Sequence, residues 1–162
     1  MPILTPTGDF GQYLQAVRAA LSRSANFRAW VGAADATAAL GSIRPSRALA
    51  SELASNAANF AVVKLARTAV DLVAFSPPTF TITPVVVVGF FGVEPSTPTD
   101  YADPETWLVN AMGPIAKDIA TDDEGPTLMK LEVSGDFDLP ADSALLRRCL
   151  GTLRLTIERT EF

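Results

Sequence analysis

Carboxylates are the side chains of this sequence that come closest to forming a chemical site. Asp122, Asp123 and Glu124 are consecutive, and such a cluster of oxygen ligands can bind Mg²⁺ or Ca²⁺. Asp136 and Asp138 stand two apart on a predicted strand, so they share one face and could form a hydrolytic dyad. Simpler interpretations are an acidic turn after a helix and the polar face of an amphipathic strand, and we favour these.

Other chemistry-bearing patterns do not occur in the sequence. It has no histidine, and its single cysteine, Cys149, stands beside leucines as buried apolar cysteines do. Neither a phosphate-binding glycine loop nor a GxSxG nucleophile elbow is present. Gly89-Phe90-Phe91-Gly92 is predicted to be a bulge or a close-packing point of a strand. We therefore predict no enzyme activity, no cofactor and no metal, with a carboxylate-based hydrolase on Asp136 and Asp138 as the enzymatic alternative.

Length and composition indicate one globular domain that spans residues 1–162. The chain is 48% hydrophobic and 19% charged, a balance that argues against disorder. Its formal net charge of −5 disfavours sequence-independent binding of nucleic acid phosphates. No secretory signal is recognised in Met1–Thr7, and the longest apolar run, Val85–Val93, is too short to span a bilayer. We expect an aqueous, cytoplasm-like compartment.

The N-terminal half is predicted to contain helices followed by two strands. Helical spacing of apolar residues predicts a helix over 8–31 with a possible break near Ser24–Asn26. Residues 32–59 form an irregular Ala-rich insertion, in which short helical pieces are predicted near 33–40 and 46–55.

Two strands are then predicted, over 60–75 and 79–93, joined by a turn at Ser76-Pro77-Pro78. Within the second strand, residues 85–93 are almost continuously apolar, which predicts burial on both faces. A helix layer would cover one face. Two interpretations stay open for this run: part of it contacts another subunit, or it is a well-covered central strand.

The C-terminal half is predicted to be a loop, a helix and a long hairpin. Asp103 caps a helix that begins at Pro104, and Gly113-Pro114 should kink it. Its apolar face comprises Trp107, Leu108, Met112, Ile115 and Ile119.

Apolar and polar residues alternate strictly over 129–139, which predicts a strand with Met129, Leu131 and Val133 on its buried face. A second alternating segment, residues 153–157, is predicted to be the strand that pairs with it. The fold class predicted is α+β, with an antiparallel sheet of about four strands, helices packed on one face and a long C-terminal β-hairpin.

Three segments resemble a known family. They are the helix D-P-E-T-W-L-V-N-A-M-G-P-I, the finish L-E-V-S-G-D-F-D-L-P…L-G-T-L-R-L-T-I-E-R, and the front segment A-L-S-R-S-A-N-F-R-A-W-V-G-A-A-D-A-T-A-A-L. In element order and pattern, the first two resemble tail terminator (tail completion) proteins of long-tailed bacteriophages, the lambda minor tail protein U type. The front segment is similar to the opening of small phage proteins of the same head–tail neighbourhood.

The resemblance implies a virion structural protein. Such proteins form hexameric rings that cap the finished tail tube, stop its polymerisation and present a surface to the head–tail connector, while DNA passes through the lumen. Expected partners are therefore further copies of the chain, the tail tube protein and the connector protein, with no membrane. The location implied is the head–tail junction of the virion, after assembly in the host cytoplasm. A tail tube or neck protein of related fold, and a small monomeric adaptor, stay as alternatives.

Subunit contacts are expected on the loop 94–103, the helix 104–120 and the hairpin 129–157. Contact with a neighbouring ring is expected at the hairpin tip, residues 138–142. The individual residues predicted to form these interfaces are Phe90, Phe91, Tyr101, Trp107, Asp138, Pro140, Ala141, Asp142, Arg147 and Arg148.

Overall fold

A computed structural model describes residues 11–45, 59–66, 69–92, 104–134, 148–157 and 160–161 of the chain. Four helices lie in these ranges: α1 (Gly11–Arg23), α2 (Ala25–Val31), α3 (Ala36–Leu40) and α4 (Pro104–Ala120). The described strands are β1 (Ile43–Pro45), β2 (Phe60–Leu65), β3 (Ala69–Phe75), β4 (Pro78–Thr83), β5 (Val85–Gly92), β6 (Leu128–Ser134), β7 (Arg148–Ile157) and β8 (Thr160–Glu161).

The first predicted helix is broken at Ser24, within the segment where a break was expected. Ser24 caps α2, because its Oγ accepts a hydrogen bond of 3.0 Å from the backbone N–H of Phe27. Gly32, at φ 72°, ends α2 in the left-handed conformation that glycine adopts without strain. The short helix predicted near 33–40 is α3, and Asp35 caps it. The piece predicted near 46–55 lies outside the described residues.

The main sheet has five strands in the order β1-β2-β5-β7-β6. The four predicted strands are present as the antiparallel ladder β2-β5-β7-β6, but the sheet was predicted too small, because β1 adds a fifth strand that pairs with β2 in parallel. β1 lies in the Ala-rich segment 32–59 and is three residues long, too short to show a period of two. The C-terminal hairpin is confirmed in its described part, since β6 and β7 pair antiparallel.

A second, three-stranded sheet has the order β3-β4-β8. It continues the three central strands of the main sheet, since β3 follows β2, β4 precedes β5 and β8 follows β7. The two long strands predicted over 60–75 and 79–93 are thus each divided in two. Pro84 separates β4 from β5, because proline has no N–H to give to a ladder. At the boundary between the two sheets, the Ala66 N–H donates to the Val85 carbonyl and the Ile157 N–H donates to the Pro84 carbonyl.

The core lies between the helices and one face of the main sheet. Tyr13, Val17 and Leu21 of α1 and Phe27 of α2 are completely buried there. Sheet residues of the same core are Val86, Val88, Phe90, Leu153 and Leu155. The other face of β5 is buried as well, at Val87 and Phe91. Burial on both faces is confirmed, and the interpretation as a covered central strand is correct for β5.

Helix α4 begins at Pro104 as predicted and continues through Pro114. Its predicted face is confirmed at Met112, Ile115 and Ile119, which are buried. The side chains of Trp107 and Leu108, and the capping residue Asp103, lie outside the described part. No helix in the described ranges is both long enough and apolar enough to cross a membrane.

Strand β6 departs from its predicted alternation. Met129 and Val133, assigned to the buried face, are 60% and 44% exposed. A register shift between Leu128 and Lys130 changes the alternation at Met129, so that Leu128 packs against the core in its place, whereas Leu131 packs there as predicted. Val133 opposes the buried Leu153 but lies on the outermost strand of the sheet, where fewer neighbours cover it.

Candidate interaction surface

The most exposed apolar side chain in the described part of the chain lies on the hairpin formed by β3, the turn at Ser76-Pro77 and β4. We call this hairpin, residues 69–83, the arm. The helices pack mainly on the five-stranded sheet, through α1 on β2 and β5 and α4 on β6 and β7. The arm continues beyond that sheet, and β3 is an outer strand of the smaller sheet.

A register shift gathers the apolar side chains of the arm on one face. Leu72 opposes Phe80, and Phe75 opposes Pro78. Leu72 and Phe75 are three positions apart, a spacing that normally places side chains on opposite faces of a strand. The irregularity between Leu72 and Ala74 restores both to one face. Leu72 is 40%, Phe75 84% and Phe80 37% exposed.

The arm is also uncharged over most of its length. No Asp, Glu, Lys or Arg occurs between Leu72 and Thr83, although the whole chain carries a formal charge of −5. At the base of the arm, the end that adjoins β5, Thr81 and Ile82 are buried. The exposed part of the arm is therefore an apolar tip on a buried stem, and such exposed patches commonly mark interaction sites.

A polar cluster joins the corner between α1 and α2 to the end of α4. Arg23 donates two hydrogen bonds to Asp122 Oδ2, from Nε at 2.9 Å and from Nη2 at 2.7 Å. Asp118 Oδ2 accepts from Ser24 Oγ at 2.6 Å and from Asn26, through Nδ2 at 2.9 Å and the backbone N–H at 3.2 Å. These bonds fix the helices to one another.

The pKa of the Asp118 carboxyl lies below its ordinary value. Partial burial alone would raise it, but the hydrogen bonds from Ser24 and Asn26 and the nearby charge of Lys117 outweigh that effect. The carboxylate form is the one that accepts these hydrogen bonds. Asp118 is therefore ionised near neutral pH, where it holds the start of α2.

The acidic turn predicted at 122–124 is part of this cluster. Asp122 is occupied by Arg23, and Glu124 Oε2 lies 3.9 Å from Arg23 Nη1. In the described ranges, no three His, Cys, Asp or Glu side chains come together in a way that could hold a metal ion. An open cavity of about 280 Å³ borders the cluster at Ser24, Asp118 and Thr121. Because Ser24 and Asn26 bind Asp118 and Arg23 binds Asp122, we assign the cluster a structural role.

The predicted interface residues fall into three groups. Phe90 and Phe91 are 1% and 0% exposed, so their side chains offer no surface to a partner in this conformation. Phe90 packs edge-on against Trp30 and Phe27, while Phe91 stacks on Phe60 with ring centroids 5.3 Å apart. The predicted bulge at this point is confirmed by a register shift between Phe90 and Phe91 against β7.

Of the remaining predicted interface residues, two are described by their backbones alone, and the others lie outside the described ranges. Trp107 belongs to α4 and Arg148 to β7 by their backbones only. The others lie outside the described residues: Tyr101, Asp138, Pro140, Ala141, Asp142 and Arg147. The same holds for the loop 94–103 and for the proposed dyad residue Asp136.

Sequence reasoning missed the arm, although the sequence carries a signal for it. Phe80 and Ile82 alternate with Thr79, Thr81 and Thr83, which is the pattern of a strand with one apolar face. Joining this segment to the continuous apolar run after Pro84 concealed the change of pattern.

Known proteins provide no further assignment for this surface. The chain matches no model of a known protein family and no curated protein sequence with which it was compared.

Proposed function

We propose that this chain is a ring-forming structural subunit, a tail terminator or head–tail joining protein of a long-tailed bacteriophage. In this role six copies cap the tail tube and connect it to the head connector, and DNA passes through the lumen without specific binding. The number of copies and the partners come from the family resemblance of the sequence. A tail tube or neck protein of related fold would use the same kind of assembly.

The single observation that carries the proposal is the apolar tip of the arm. Phe75 is 84% exposed beside the exposed Leu72 and Phe80, whereas five other aromatic rings in the described ranges are completely or almost completely buried: Tyr13, Phe27, Phe60, Phe90 and Phe91. Exposing this face to water is unfavourable, by about 25 cal/mol per Å² of apolar surface. Covering it with another protein molecule removes that penalty.

The side chains of the polar cluster also support a structural, joining role. The described carboxylates of the cluster bind arginine, serine and asparagine side chains of the same chain, and the sequence has no histidine to act as a general base. A joining role needs complementary surfaces and no catalytic group, which agrees with this arrangement. DNA in the lumen would pass an acidic protein that makes few phosphate contacts.

The test is the mass of the purified protein in solution together with electron microscopy of the particles. We expect a species of about six times the 17.2 kDa of one chain, and ring-shaped images. Phe75→Asp should give monomers with an unchanged circular dichroism spectrum, because the side chain lies outside the core. A matched control is Leu40→Asp, at an exposed leucine on α3 away from the arm, which should still form rings.

The proposal fails if the wild-type chain stays monomeric both alone and when mixed with tail tubes. A monomer that nevertheless binds one other protein through the arm would support the alternative of a small adaptor. The apolar tip favours this alternative as well, since a single partner could cover it. Sedimentation therefore separates the two functions.

A second test concerns the hairpin tip predicted from the sequence. Deleting residues 138–143 is expected to leave ring formation intact while abolishing the joining of tails to heads in an infected cell. Normal joining by the deletion variant would contradict the assignment of this tip.

A further inference from the structure

We propose that the arm of each subunit packs on strand β6 of the next subunit, where Met129 and Val133 are exposed. This inference rests on the ring proposed above, and it specifies which two surfaces meet. Each subunit would donate its arm on one side and receive an arm on the other.

The exposed large hydrophobic side chains of the described residues fall into two groups. Leu72, Phe75 and Phe80 form the first on the arm, and Met129 and Val133 form the second on β6. Leu40 on α3 stands apart from both. A closed ring has a head-to-tail interface, which requires two different patches on every subunit. Two apolar patches on different sheets meet that requirement.

Both patches also lie on outer strands. β3 is an end strand of the small sheet and β6 an end strand of the main sheet, and each is seven residues long. The outward backbone N–H and C=O groups of such strands can pair with a strand of another molecule. In the proposed contact the exposed end of β3, from Leu72 to Phe75, pairs antiparallel with β6, which brings the turn at Ser76 toward Met129 and leaves the apolar side chains beside the ladder.

Charge favours this pairing between two copies of an acidic chain. Copies that each carry a net charge of −5 repel one another in general. The arm has no charged residue between Leu72 and Thr83, and on β6 Lys130 Nζ lies 2.8 Å from Glu132 Oε1. The part of the arm beyond Asp71 therefore brings no charged side chain to β6, where Lys130 and Glu132 neutralise each other.

The area involved suits a ring better than an isolated pair. Since one buried aromatic side chain covers about 150–250 Å², the five exposed side chains together offer on the order of 500 Å². Stable interfaces bury about 1,200–2,000 Å² in total, so these side chains alone supply less than half of the area that an isolated pair needs. Every subunit of a closed ring makes two such contacts.

Cross-linking tests the contact directly. One chain carries Ser76→Cys at the arm tip and a second carries Met129→Cys, both with Cys149→Ser, and the two are mixed and oxidised. We expect a disulfide-linked pair containing one chain of each kind. Replacing Met129→Cys by Leu40→Cys should reduce the yield at least tenfold, and equal yields would overturn the inference.

Complementation tests the head-to-tail arrangement. Phe75→Asp and Val133→Asp should each prevent ring formation, because each introduces a charge into one of the two apolar surfaces. Mixed in equal amounts they should form dimers and no rings, since the Val133→Asp chain keeps an intact arm and the Phe75→Asp chain an intact β6. Sedimentation of the single variants and of the mixture measures this.

Different outcomes separate the two proposals. Rings formed by Val133→Asp but not by Phe75→Asp would overturn the contact with β6 and leave the ring function standing. If the wild-type chain forms no rings and the Ser76→Cys and Met129→Cys variants form no cross-link, both proposals are overturned. If Val133→Asp does not fold, as judged by circular dichroism, the cross-linking yields decide the question, because those variants leave Val133 unchanged.

Discussion

Strands β4 and β5 are neighbours in the chain, separated by Pro84 alone, yet β5 is buried along most of its length whereas β4 is buried only near Pro84, at Thr81 and Ile82. In β5 the side chains of Val86, Val87, Val88, Phe90 and Phe91 are buried, on both faces of the strand. In β4, Phe80 stays 37% exposed, and Phe75 across the turn is 84% exposed. The helices lie on the five-stranded sheet and mainly contact β2, β5, β6 and β7. An apolar strand is thus buried or exposed according to the layer packed on it, and its composition alone does not decide this.

The largest expected effect is the difference in stability loss between a phenylalanine-to-alanine change in the main sheet and the same change in the arm. Phe91→Ala should lower the free energy of unfolding by about 3–5 kcal/mol, because a buried ring stacked on Phe60 leaves a cavity. Phe75→Ala should change it by less than about 0.5 kcal/mol, because its ring is mostly in water. Urea denaturation of monomeric protein measures both. Equal losses would contradict the difference between sheet and arm.

The next effect concerns the bonds that hold the helical layer in place. Asp118→Ala should lower the free energy of unfolding by about 1–3 kcal/mol, because Ser24 and Asn26 lose a charged acceptor. Asp123, an exposed aspartate in the turn after the same helix, supplies a matched control, and Asp123→Ala should change stability by less than about 0.5 kcal/mol. If both variants unfold at the same urea concentration, the polar cluster does not hold the layer.

The stabilisation by Asp118 should depend on pH. Its pKa in the folded chain lies below the ordinary 3.8, so the unfolded chain takes up the proton first as the pH falls. The stabilisation is present in full above about pH 5, and it is lost as the pH falls below about 4. Urea denaturation of wild type and Asp118→Asn over this range should show a stability difference that shrinks on acidification. A stability difference that stays constant with pH would contradict the lowered pKa of Asp118.

The smallest effect is expected at the base of the arm. Thr81 is 1% exposed, and its hydroxyl oxygen has no hydrogen-bond partner in the described part of the protein. Thr81→Val keeps the shape and removes a buried polar group, so it should raise the free energy of unfolding by about 1 kcal/mol or less. Thr79→Val, at a less buried position of the same strand, is the control. A loss of stability in Thr81→Val would show that the hydroxyl is bound.

The polar cluster illustrates what local pattern does not reveal. The sequence indicated an acidic turn at 122–124 after a helix, and α4 does end just before it, at Ala120. Nothing in the spacing indicated that Arg23, 99 residues away, would bind Asp122, or that Asp118 would hold Ser24 and Asn26. Contacts between residues so far apart depend on how the helices cross.

The sequence by itself determined the local elements. Apolar periodicity placed α1 and the buried face of α4 at Met112, Ile115 and Ile119, and Ser24 marked the break before α2. It also predicted the burial of β5 on both faces and the pairing of β6 with β7. These features follow from side-chain spacing and capping chemistry, which act within a few residues.

Only the tertiary structure decided how the strands are ordered and which apolar residues stay exposed. It placed β1 beside β2 in parallel, continued the central strands into the arm, and left Leu72, Phe75, Met129 and Val133 in contact with water. The physical reason is that exposure depends on the distances between elements remote in sequence. An outer strand or an arm without a helix on it keeps its apolar side chains uncovered, whatever their period.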